Sequence, residues 1–150
     1  MKKMFSLLII TSAILANSCQ AQSKVVGEIV NGAPSLTMDK TAILKSYNQN
    51  LLKASGIDGQ FTDVVIKEME NKQYILVFSG RSYRSSLQLT NNAGKLAPTG
   101  TSCTTTDCSS EPHGCEVTYG TGSNAGTVYC SPCGNGGKCT KTSSSISLID

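Results

Sequence analysis

Cysteine is the residue type whose spacing in this chain suggests chemistry. Six of the seven cysteines, Cys103, Cys108, Cys115, Cys130, Cys133 and Cys139, fall in the last third of the 150 residues. Cys130 and Cys133 enclose Ser131 and Pro132, a spacing that serves either a redox dithiol or a pair of metal ligands. Three outcomes are open to such a set. A low-pKa thiolate at Cys130 would attack disulfides. Thiolates of Cys130 and Cys133, completed from Cys108, His113 and Cys115, would hold zinc. Oxidation after export would turn all six cysteines into structural disulfides.

Cys130-Ser-Pro-Cys133 resembles the thioredoxin-type redox motif, in which a helix N-terminus activates the first thiol. Gly134, Asn135, Gly136 and Gly137 follow here, and they are poor helix formers. A disulfide framework of all six cysteines is therefore the first expectation. A thiol–disulfide oxidoreductase using Cys130 and Cys133 is the alternative, and a structural zinc-binding module the third. The stretch Cys133-Gly-Asn-Gly-Gly-Lys-Cys139, preceded by Pro132, resembles a Cys-x-Asn-Gly-Gly-x-Cys segment of EGF-like domains. The likeness covers about ten residues, and no cysteine lies within residues 140–150, so it is taken as a Gly-rich turn. Sequence does not select the pairing, but parity constrains it. Three cysteines precede residues 117–129 and three follow, so full pairing requires at least one bridge across that segment.

Other chemistries fare poorly. His113 is the single histidine and sits between Pro112 and Gly114, as an exposed loop residue would. A serine or cysteine triad needs a base, and the nearest nucleophile, Cys115, is expected to be oxidised. Asp58, Asp63, Glu68 and Glu70 lie near strand ends, and nothing marks any two as a catalytic pair. Gly120-Thr-Gly122-Ser-Asn-Ala125 matches a dinucleotide-binding string, but Gly126 to Tyr129 read as a strand where a helix is required. No catalytic residue, metal or cofactor is assigned.

The address comes from the other end. Lys2 and Lys3 precede a mostly apolar run from Phe5 to Ala16, and small and polar residues follow. This is the pattern of a secretory signal peptide, residues 1–21, with a very short basic region of bacterial type. The apolar run is shorter than the ~20 residues that span a bilayer. Cleavage fits after Ala21 or after Ser18. The alternative is a lipoprotein signal that acylates Cys19, although Ala16 and Asn17 match such a signal poorly. Either outcome takes Cys19 out of the set and leaves an even six. Localisation is thus secreted or periplasmic, or at the outer membrane if Cys19 is lipidated. Lys and Arg number 13 against 10 acidic residues; without Lys2 and Lys3 the balance is eleven to ten. Arg81 and Arg84 flanking Tyr83 read as decoration of a turn. A nucleic-acid partner is not expected from such a chain, and a membrane partner only through Cys19.

Two segments must position the cysteines. Residues 24–97 read as a small α+β domain. Ile43, Leu44, Tyr47, Leu51 and Ala54 recur at helical spacing, which predicts a helix over 38–54 with Thr37 as N-cap, Asp39 in the first turn and Gly56 as its stop. Strands are expected at 25–30, 61–69, 74–78, 85–90 and 95–97, with turns at Asn71–Lys72 and Asn91–Gly94. The predicted fold is one helix packed on a small antiparallel meander. Its order of strand, helix and meander resembles the cystatin-type arrangement in architecture. The Gln-x-Val-x-Gly hairpin of cystatins has no counterpart in residues 61–89, so no inhibitor activity follows.

About half of residues 99–150 are Ser, Thr or Gly, too apolar-poor to fold without cross-links. They read as an irregular disulfide-rich module with a β-hairpin at 117–129 and a last strand or tail over 143–150. The combined expectation is a non-catalytic, exported binding or surface-interaction protein that presents its Cys-rich loops to an unknown protein or surface ligand.

Overall fold

The computed structural model of the protein describes residues 24–144 and 148–149; the expected leader, with Cys19, lies outside the described residues. The elements run β1 (Gly27–Val30), β2 (Ala33–Leu36), α1 (Lys40–Ser55), β3 (Phe61–Glu68), β4 (Tyr74–Gly80), β5 (Arg84–Asn92), β6 (Lys95–Thr105), β7 (Val117–Tyr119), β8 (Val128–Cys130) and β9 (Thr140–Ser143). The fold is α+β, but the expected small meander is corrected. The main sheet has seven strands in the order β2-β1-β6-β5-β4-β3, with β9 also paired to β6. All its pairings are antiparallel. Its edge strands β2 and β3 approach each other, giving a nearly closed, barrel-like sheet. Gly27 permits this curl: a β-carbon there would collide with the Ile66 side chain from β3.

Helix α1 starts at Lys40, two residues later than expected. Asp39 is the N-cap, its Oδ1 accepting the Ala42 N–H at 2.9 Å, and Thr37 instead donates its N–H to the Val26 carbonyl. Such a cap contributes about 1 kcal/mol. Gly56 ends the helix in the left-handed region, its N–H donating to the Leu52 carbonyl. Ile43, Tyr47 and Leu51 form the buried stripe, while Ala54 is exposed.

The unpredicted strand is β2. Asn31 and Gly32 both take positive φ, as a tight hairpin turn requires. Pro34, which has no N–H to donate, is tolerated because β2 lies at an edge. A second such turn at Ala93–Gly94 joins β5 to β6, secured by the Asn91 side chain accepting the Gly94 N–H. Strand β6 runs through Pro98 without a break, so residues on both sides of the composition shift share one strand.

Strand β4 explains the layering. Its continuous apolar run is buried on both faces. Tyr74, Leu76 and Phe78 join α1 in the first core, where Phe78 stacks on Tyr47 at 3.7 Å between ring centroids. Leu148 and Ile149 complete that core; the rest of the expected last strand at 145–147 and 150 lies outside the described residues. Ile75 and Val77 point the other way, into a second core with Val117 and four of the cysteines. The Cys-rich module is therefore the third layer, packed on the back of the sheet.

The three disulfides among the described residues all cross the β7–β8 hairpin: Cys103–Cys130, Cys108–Cys133 and Cys115–Cys139. Closing loops of 24 to 27 residues, each contributes on the order of 3 kcal/mol by limiting the unfolded chain.

Candidate functional site

Where the module meets the edge of the sheet, it leaves an open groove of about 390 Å³ between the end of β3 and the segment from His113 to Tyr119. This is the lower part of the range spanned by small-molecule sites. Its construction starts with Glu116. Cys115, at φ 55°, bends the chain so that Glu116 turns inward, and the side chain is only 3% exposed. Two cations hold it. Lys67, outward-facing on β3, donates to Oε2 at 2.6 Å, and Arg84, at the start of β5, donates to Oε1 at 2.7 Å. A buried carboxylate without such partners would cost several kcal/mol.

The same two cations fix the chain around Glu116. Arg84 also donates to the Pro112 carbonyl at 2.8 Å, and Lys67 meets Nδ1 of His113 at 2.9 Å. An ammonium has only protons to offer, so Nδ1 accepts and the imidazole proton sits on Nε2, towards solvent. Ser131 clips the segment from behind: its hydroxyl accepts the Glu116 N–H at 2.8 Å and donates to the His113 carbonyl at 3.1 Å. Tyr119 and Met69 give the groove an apolar flank. The Tyr119 hydroxyl donates to the Tyr74 carbonyl, and burial pushes its pKa up.

The sequence-derived candidates are distributed as follows. His113 is exposed, at 81% for its side chain, and forms the rim. Cys130 and Cys133 are bonded to different partners, Cys103 and Cys108, whereas a dithiol active site joins its two sulfurs to each other. The sulfurs of Cys103, Cys130 and Cys139 lie within 4.8 Å of one another, but all three belong to disulfides and offer no thiolate to a metal. The Gly120–Ala125 string forms the β7–β8 loop with one short 3₁₀ turn, Gly122–Asn124, and opens no helix. Asp63 pairs with Lys40, and Glu68 with Lys72, at the surface.

Two acidic residues of the module hold its Gly-rich loop. The Glu111 carboxylate accepts the N–H groups of Gly134 and Asn135 at 2.7 and 3.2 Å. Asp107 accepts the Lys138 N–H at 2.8 Å, and that bond holds its carboxyl below the usual pKa.

Lys67, Arg84 and Glu116 were not legible as a group. Arg84 reads locally as turn decoration, and its partner lies 32 residues away. The one available signal was the position of Glu116, between Cys115 and Val117 at the mouth of a strand whose neighbours are buried.

No helix among the described residues is long and apolar enough to cross a membrane. Comparison with protein-family models, curated proteins and solved structures finds no match.

Proposed function

We propose that this is an exported, non-catalytic binding protein whose recognition site is the groove built on Glu116, Lys67 and His113. The observation that carries the reading is the rigid mounting of that rim: a buried carboxylate, two cations and a serine clip serve to place His113 and the free side of Lys67 at an open surface. Groups held this way are preorganised for contact. Three of the polar residues that line the groove with His113 are committed to structure. Ser131 and Thr118 bond backbone groups, and Glu116 is neutralised by cations. The three disulfides fit an oxidising, non-cytoplasmic compartment. Export through residues 1–21, with a soluble product or a lipid on Cys19, belongs to the same proposal, as does a protein or surface ligand as partner.

Two measurements test it. In an insulin-reduction assay the protein should show no turnover, and Cys130→Ser should change nothing; Cys130-dependent turnover would establish the oxidoreductase instead. In an NMR screen of small polar fragments, amide shifts should concentrate at residues 67–73 and 113–121. Shifts confined to another surface would refute the groove. Intact-mass analysis of native material reads the cleavage site and any acyl chain on Cys19.

A further inference from the structure

The groove's unused hydrogen-bonding groups indicate what it takes. The ammonium of Lys67 has three protons, and two are engaged by Glu116 and His113. Its third proton remains, together with Nε2 of His113, the Gln73 amide, the Thr121 hydroxyl and the Glu70 carboxylate, none of which has a side-chain partner among the described residues. Donors and acceptors are thus interleaved around one opening. Charge is balanced as well. Lys67 lines the groove with Glu68, Glu70 and Glu116, and Lys72 and Arg84, outside the lining, pair with Glu68 and Glu116, so two of the three acids are already in ion pairs. A small anion meets the unpaired Glu70 carboxylate, and a small cation meets the Lys67 ammonium, so neither sign is favoured. Tyr119 and Met69 add an apolar flank to this neutral, mixed surface.

We infer that the ligand is a neutral saccharide. Each sugar hydroxyl donates and accepts, so it can satisfy an ammonium, an imidazole N–H, an amide or a carboxylate alike. The C–H face of a pyranose ring supplies the apolar surface that Tyr119 and Met69 would cover. This inference rests on the groove being the recognition site.

The test uses the disulfide-intact protein on an array of neutral oligosaccharides, with calorimetry on the strongest binder. A neutral oligosaccharide should bind. Tyr119→Ala should weaken it about tenfold through lost apolar contact, and Gln73→Ala about threefold or more through one lost hydrogen bond. Lys45→Ala, on the exposed side of α1, should bind as wild type. Sodium acetate and sodium phosphate should not compete. Gln73 is a surface residue, so its variant carries the test if Tyr119→Ala fails to fold. Absence of any neutral binder, competition by acetate or phosphate, or unchanged binding in Gln73→Ala would overturn the inference. Fragment shifts in the groove without saccharide binding would remove only the ligand class; shifts elsewhere would remove the groove as well. Hydrolysis of the bound oligosaccharide would keep the ligand class and overturn the non-catalytic reading.

Discussion

Alternate residues of β4 enter two different interiors. Tyr74, Leu76 and Phe78 meet α1 in a core of large side chains, with Tyr47, Phe61 and Phe78 in mutual ring contact. Ile75 and Val77, one residue out of phase, meet a layer whose apolar content is mainly Val117 and the cysteines. The helix side is held by burial, which acts on the folded state. The module side is held by sulfur links, which act largely by restricting the unfolded state. One sheet can thus support a layer too poor in apolar residues to fold alone, provided its loops are closed covalently. The same contrast locates the candidate site: the groove lies on the sulfur-held side, where loops are free to carry polar groups.

The sharpest break of this comparison is Phe78→Ala. Truncating a fully buried aromatic should cost about 3–5 kcal/mol in denaturant unfolding, because the cavity opens beneath Tyr47. A loss under ~1 kcal/mol would mean that the helix side is not held by packing. Next comes removal of the Cys103–Cys130 bridge as a double alanine variant. It should cost about 2–4 kcal/mol, and amide exchange should quicken first in residues 113–139 while α1 stays protected. Equal acceleration on both sides would merge the two regions into one unit. Third is Glu116→Gln, which leaves Arg84 and Lys67 facing a neutral amide. The cations are partly exposed, so the expected loss is about 1–3 kcal/mol. The nuclear resonances of His113 should shift with it, and an unmoved His113 would detach the rim from its mounting.

The smallest effect is a pH dependence confined to the module. The Lys138 N–H depresses the Asp107 pKa in the folded state. Its contribution is therefore complete above the unfolded carboxyl value of about 4 and is lost as pH falls through the lower folded value. Exchange at the Lys138 amide should accelerate in that acidic window, before α1 does. The Asp107→Asn variant should abolish this local step; an unchanged profile in the variant would assign it to another carboxyl.

Local pattern carried much of the fold. The three-and-four spacing of Ile43, Tyr47 and Leu51 marked the helix, and Gly56 marked its end. The unbroken run at 74–78 marked a strand, which the structure buries on both faces, and Asn91 to Gly94 marked a hairpin. Strand β2 escaped because Ala33, Pro34 and Ser35 are weak strand formers, although Asn31-Gly32 was a hairpin signal in plain view. The sheet exceeds the expected meander because nothing local says that β6 outlasts Pro98 or accepts both β1 and β9 along one edge.

The amino-acid order by itself determined where helix and strands can form, that the last third needs cross-links, and, by parity, that a bridge must span residues 117–129. Those are consequences of side-chain periodicity, composition and counting, which depend only on neighbours along the chain. The tertiary structure alone decided which cysteines pair, how the sheet curls, and that Glu116 is buried between Lys67 and Arg84. Partners separated by 49 and 32 residues share no local signature. Their worth depends on exclusion from water, and only the packed layers determine which charges lose it.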